Sequence, residues 1–267
     1  MKNIMDNELK ERVKKIIEKS SGNISLSFYD LKENNGFGFN EENKVPSASM
    51  IKLLIMIETF ELVKEGKFSL DDKIEINKDK IVGGSGILKE FEEGHKFSLR
   101  ELLTLMIIVS DNSATNIIID LVGKDRINKR AEKLNLESTI LQRKMMDSDA
   151  AKRGLDNFTS SKDIANILEK IYNKEVVDEI YCETMLDILL RQHERQRLQR
   201  FLPEDVKIAN KSGDLDNLEN DGGIFLIENH PYILVVLIND ADSNADAQES
   251  IGRISKLIYD ELGVLKR

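Results

Sequence analysis

Alternating apolar patterning, the mark of a half-buried strand, occurs at the two ends of this 267-residue chain and is missing from its middle. Near the start, Ile24, Leu26 and Phe28 alternate with Ser25, Ser27 and Tyr29. Asn34-Asn35-Gly36 is a turn signal, and Phe37-Gly38-Phe39 reads as the returning strand of a hairpin. Near the end, residues 206–208, 223–227 and 232–238 read as strands. The last two are joined by a turn at Glu228-Asn229-His230-Pro231.

The rest of the pattern is helical. Val13, Ile16 and Ile17 stand at helical spacing within residues 8–17, and residues 245–262 form a closing helix. Residues 50–64 are an apolar helix after Pro46, and residues 65–200 read as almost wholly helical. Ser98-Leu99-Arg100-Glu101 is a capping box ahead of an apolar run over 102–109. Residues 114–121 are a buried helix, and residues 159–161 open another that runs to Ile171. The economical fold is α/β (more strictly α+β). One antiparallel sheet is built from the N- and C-terminal strands and flanked by the terminal helices, with an all-helical lobe inserted between them. The expected division is residues 1–46 with 201–267 as the sheet domain and 47–200 as the helical one. The cleft between them is the natural place for a small-molecule site.

Composition narrows the function. A net charge of −9 is a poor match to phosphate backbones, so no nucleic-acid partner is expected. One cysteine, Cys182, forbids an internal disulfide, and its bland reading is a small buried residue. The first residues lack an apolar core and a small-residue cleavage site, and the longest apolar runs are too short to span a bilayer. A cytoplasmic monomer without a membrane segment is expected, with a secreted or cell-surface protein as the alternative if an export signal has been trimmed. His95, His193 and His230 are scattered without ligand spacing, so no metal and no Ser-His-Asp triad is expected. His193 lies in a charged run, 191–200, most simply read as a solvated face. No cofactor is expected; the run Gly83-Gly84-Ser85-Gly86 lacks the lysine of a phosphate loop.

Three short elements carry chemistry. Ser49-Met50-Ile51-Lys52 puts a hydroxyl and an amine on one face of a helix start, where free backbone N–H groups can hold an oxyanion. A lysine kept neutral one turn away can take the serine proton. Ser110-Asp111-Asn112 breaks two apolar helices, and either aims side chains into the cleft or simply caps the second helix. Lys211-Ser212-Gly213 follows a strand. It either supplies a cation, a hydroxyl and a close backbone approach for a substrate carboxylate, or is a polar strand end entering a turn.

In this order and with these contexts, the three elements resemble the class A β-lactamase-like family of serine hydrolases, which is related to DD-peptidases. The resemblance runs over nearly the whole chain and includes Val82-Gly83-Gly84-Ser85-Gly86-Ile87-Leu88 and residues 110–116. It implies that Ser49 is the acylated nucleophile and Lys52 the general base, with Ser110 passing a proton to the leaving nitrogen. It implies that Asn112 binds the acyl-side amide, that Lys211 and Ser212 hold a carboxylate, and that the oxyanion sits on the N–H groups of Ser49 and Asp214, beside Gly213.

Two departures stand out. Counting from Arg143, the glutamate that activates the deacylating water in that family is Met145 here. Asp147 and Asp149 are the candidate replacements. The extra cation of the family has no counterpart after Gly213 until Arg253, and Asp214, Asp216, Glu219 and Asp221 come instead. The leading expectation is β-lactam hydrolysis through a Ser49 acyl-enzyme. The alternatives are a peptidase, amidase or esterase acting on peptide-like acyl donors, and a penicillin-binding sensor that acylates without turnover.

Overall fold

A computed structural model describes residues 2–264. Helix α1 (Lys2–Ile17) leads into the hairpin β1 (Asn23–Asp30) and β2 (Asn35–Phe39). Then come β3 (Val45–Pro46), a 3₁₀ turn (Ala48–Ile51) and α2 (Lys52–Lys64). The short strands β4 (Lys73–Glu75) and β5 (Lys96–Ser98) bracket a loop. Helices α3 (Leu99–Ile108), α4 (Asn112–Val122), α5 (Lys124–Lys133) and α6 (Ser148–Lys152) follow. β6 (Phe158–Thr159) precedes α7 (Ser161–Tyr172) and α8 (Glu179–Leu190). The chain closes with β7 (Ile208–Leu215), β8 (Leu218–Phe225), β9 (Tyr232–Asn239) and α9 (Asn244–Val264).

Five strands form one sheet in the order β2-β1-β9-β8-β7, every pair antiparallel. β9 is central, which explains its unbroken apolar run from Tyr232 to Ile238. Period-two alternation sends Ile233, Val235 and Leu237 to one face and Tyr232, Leu234, Val236 and Ile238 to the other, and both faces are covered. The second face packs under α1 and α9 through Val13, Ile251, Ile254 and Ile258. The first face joins the helical core built around α2, α3, α4, α7 and α8. At roughly 1.5–3 kcal/mol per fully buried aliphatic side chain, this packing is the main force holding the sheet against the helices.

Three details depart from the expected pattern. The stretch 65–200 is not wholly helical: β4 pairs with β5, and β6 pairs with β3. The helix expected from residue 50 begins as a 3₁₀ turn and becomes α-helical only at Lys52. The strand expected at 206–208 runs instead over Ile208–Leu215, so Lys211-Ser212-Gly213 is mid-strand, not a strand end entering a turn. Periodicity missed it because Asn210, Lys211 and Ser212 are polar yet buried. The charged run 191–200 is likewise not a wholly solvated face, since Gln192, Arg197 and Leu198 are buried in it.

Candidate active site

The corner before α2 is pinned from two sides. Asn220 Nδ2 on β8 donates to the carbonyls of Pro46 (3.1 Å) and Ser47 (3.3 Å), and the Ser47 N–H donates to the Asn157 carbonyl (2.8 Å). Between these anchors Ala48 adopts φ +44°, a left-handed conformation that costs on the order of 1 kcal/mol and persists only where the surroundings impose it. Ser49 therefore sits at the mouth of the 3₁₀ turn. At three residues per turn, positions i and i+3 eclipse, which places Ser49 and Lys52 on one face.

Lys52 is completely buried, and its Nζ donates to the Ser110 carbonyl (2.7 Å), Ser110 Oγ (3.0 Å) and Asn112 Oδ1 (3.0 Å). Lys211 is also completely buried and donates to the same Ser110 Oγ (3.1 Å) and to the Ser212 carbonyl. Ser110 is thus the link between two lysines from different elements. It holds this place through φ +53° at the break between α3 and α4. The helix cap of this motif is supplied by Asp111 alone. Its buried carboxylate accepts from Ala114 N–H (2.9 Å) and from the N–H groups of Ile87 and Leu88 (2.7 Å each). One residue caps α4 and ties down the 83–88 loop, leaving Ser110 and Asn112 free to serve the site.

Burial and mutual repulsion set the charges. Desolvation, then the like charge of Lys211, push the Lys52 amine well below the usual lysine range, against the pull of Asp111 and Asp214. Desolvation and the Arg197 guanidinium bring Lys211 down to about 7. A neutral Lys52 is a competent base for a serine hydroxyl. The sign of the pH dependence follows. Lys52 can take a proton only above its lowered pKa, so a reaction that uses it as base is expected to be present there and to be lost as pH falls through it. Lys211 is one cause of that lowering. In Lys211→Met, Lys52 holds its proton to higher pH, and the acidic limb of the acylation profile of a neutral ester is expected to move to higher pH. A limb that does not move, or moves down, contradicts the coupling.

β7 is an edge strand, so one row of its backbone groups is free to face the 3₁₀ turn. A Cβ on Gly213 would lie 2.7 Å from the Ser49 amide nitrogen and 3.3 Å from that of Met50. Only glycine lets the strand come this close to the N–H that would carry an oxyanion. Gly213→Ala is expected to lower the acylation rate of Ser49 by about 10²-fold, the scale of one lost oxyanion donor, with the melting temperature read in parallel.

A cavity of about 540 Å³ opens at this junction. Ser49, Asn112 and Asp214 line it, while Lys52, Lys211, Ser212 and Gly213 are buried. The opposite wall is the segment before α6, stapled in several places. Arg143 pairs with Asp156 (2.9 Å), and Asn157 Oδ1 accepts from the N–H groups of Gln142 and Arg143. Asn116 exchanges two hydrogen bonds with the Met145 backbone (2.8 and 3.0 Å). These staples put the Met145 side chain, 8% exposed, on the cavity wall.

Asp147 and Asp149 are not brought to the cavity. Asp147 caps α6 by accepting from Ala150 N–H (2.9 Å), and the exposed Asp149 pairs with Lys152 (3.4 Å). Sequence reasoning also passed over Asn116, Asn157 and Arg197. Arg197 is 3% exposed and paired with Glu219 and with Asp214 (3.1 Å), so a cation does stand by β7, supplied from upstream rather than downstream. Asn116 and Asn157 act through backbone groups distant in sequence, which no local pattern announces. Among the described residues, no group of three or more His, Cys, Asp or Glu is placed to hold a metal. No helix among them is long and apolar enough to cross a membrane.

A family model described as "Beta-lactamase enzyme family" matches residues 8–262. The extended-spectrum beta-lactamase PER-1 of Pseudomonas aeruginosa is 23% identical, over 94% of this chain and 86% of its own. The crystal structure of a beta-lactamase from Sphaerobacter thermophilus is similar with a TM-score of 0.89 and 26% identity, covering 96% of this chain and 97% of its own. A variant of PBP-A, solved as its acyl-enzyme complex with penicillin G, is similar with a TM-score of 0.88 and 25% identity, over 96% and 97% of the two chains.

Proposed function

This chain belongs to the beta-lactamase enzyme family, and on that premise we propose that it is a serine acyl hydrolase in which Ser49 is acylated by peptide-like acyl donors and β-lactams, with slow release of the β-lactam acyl group. The observation that carries this reading is an asymmetry in the site. The parts needed for acylation are assembled around Ser49, while the wall position for a deacylating base holds a thioether.

In the proposed acylation step the Ser49 hydroxyl attacks the substrate carbonyl as Lys52 takes its proton. The oxyanion gathers on the Ser49 and Asp214 N–H groups. Ser110 Oγ, bonded to both lysines, returns a proton to the leaving nitrogen. A water molecule must then be activated to hydrolyse the acyl-enzyme and free Ser49. Of the three carboxylates on the cavity wall, Asp156 is tied to Arg143 and Asp214 to Arg197, while Asp216, which has no ion pair among the described residues, lies in the turn after β7 and not on the segment that carries Met145. Met145 cannot accept a proton at neutral pH.

The placement of Met145, Asp147 and Asp149 favours the peptidase-like alternative over β-lactam hydrolysis as the main activity. The test is the intact mass of the protein after mixing with penicillin G. A mass increase by one penicillin that persists long after mixing is the expected result. Rapid product release without a lasting adduct would reject the slow-release reading. The absence of both adduct and product would reject β-lactam acylation.

A further inference from the structure

We infer that the β7 side of the cleft selects against a carboxylate on the substrate and for a neutral or cationic group, and that Asp214 is the specificity-determining residue. This deepens the proposed function and rests on it.

Arg197 is buried beside this wall. Its guanidinium is the strong cation beside β7, yet it does not line the cavity; Asp214 does. Arg197 Nε donates to Glu219 and Nη2 donates to Asp214 Oδ1 (3.1 Å). Glu194 stands 3.6 Å from Nη1. Glu219 is itself fixed by donation from Asn244 (2.8 Å) and Gln248 (2.9 Å). The buried Asp221 accepts from Asn210 (2.9 Å) and from Leu198 N–H (3.2 Å), and adds further negative charge beside the guanidinium. One cation is therefore met by several carboxylates, and the one facing the cavity is Asp214, its side chain 57% exposed. The protein's own carboxylate already occupies the place where a substrate carboxylate would find Arg197.

The rest of that wall adds no compensating charge. Asp216 lines the cavity and has no ion pair or side-chain hydrogen bond among the described residues, and Leu215 between them is an exposed apolar side chain. Lys211, the remaining cation of this region, titrates at about 7. It supplies only part of a charge at neutral pH. A ligand carboxylate entering here meets two acidic side chains and loses, whereas an ammonium or an uncharged amide does not. Like charges a few ångströms apart near a protein surface disfavour binding by an order of magnitude or more.

Penicillin G itself supplies the matched probes: the free acid, its methyl ester and its 2-aminoethyl amide, which share the acyl group and the reactive lactam. The second-order rate of Ser49 adduct formation is read by intact mass for the wild type, Asp214→Asn and Asp216→Asn. In the wild type the ester and the amide are expected to acylate at least about ten-fold faster than the acid. Asp214→Asn is expected to raise the rate of the acid about ten-fold and to lower that of the amide. Asp216→Asn should shift both in the same direction by less. High salt should compress the differences. Three equal rates in the wild type, a faster acid, or ratios unmoved by Asp214→Asn would overturn the inference while leaving Ser49 acylation standing. No adduct from any of the three would overturn the acyl-enzyme reading and this inference with it.

Discussion

Ser49→Ala is expected to remove the penicillin adduct completely and to cut hydrolysis of any activated ester by several orders of magnitude, with the fold unchanged. The neighbouring serines are poor replacements; Ser85 also lines the cavity, but among the described residues no lysine is hydrogen-bonded to its hydroxyl. Ser47 is fully buried, with its Oγ turned onto the Ala48 carbonyl, and Ser110 is engaged by two lysines. In serine hydrolases loss of the nucleophile costs on the order of 10⁶ in turnover, because the oxyanion donors and the base then act on nothing. Stability should not fall, since Ser49 Oγ makes no hydrogen bond to any described residue and its removal leaves no buried partner orphaned. The check pairs intact mass with a thermal melt. An adduct retained in Ser49→Ala would move the nucleophile elsewhere and remove the basis of the proposed mechanism.

Met145→Glu is expected to convert the lasting penicillin adduct into a transient one and raise steady release of product by about 10²-fold or more, the usual contribution of a well-placed general base. The backbone there is already held by the two Asn116 hydrogen bonds, by the Arg143–Asp156 pair and by Asn157. The new carboxylate would thus be presented from a fixed main chain rather than a loose loop. Methionine and glutamate are both unbranched and of similar reach, so steric cost is small. The desolvation of an ionised group at a position only 8% exposed is the opposing effect. The readout is the deacylation rate after a single acylation. An adduct as long-lived as in the wild type would mean that a missing carboxylate is not what holds the acyl group on Ser49.

How much of this was legible in sequence differs from element to element. β9 declared itself because a strand buried on both faces is an uninterrupted apolar run, and the Ser98–Glu101 capping box declared the start of α3. Ser49 and Lys52 were readable because three residues of separation mean one face in any right-handed helix, α or 3₁₀. β7 was placed too early because its middle is polar, and a polar strand becomes buried only when other elements supply its partners. Asp147 and Asp149 looked usable because residue counting gives proximity along the chain. It does not say that one carboxylate will cap α6 and the other will face solvent.

The sequence by itself determined the class of chemistry and the order of the layers. Strand periodicity at the ends, helix periodicity between them, and a serine, a lysine and a polar break at the right positions are local properties, set by backbone geometry and side-chain type. Tertiary structure alone decided the electrostatics. Lys52 and Lys211 are 159 residues apart in the chain, yet share one hydroxyl. Their lowered basicity arises from desolvation and mutual repulsion, which exist only once both are buried. The same holds for Arg197. Read as part of a solvated charged run, it is in the folded chain a buried cation already claimed by Glu219 and Asp214. Charge in a protein interior is governed by what surrounds it in three dimensions, and that is information no stretch of sequence contains.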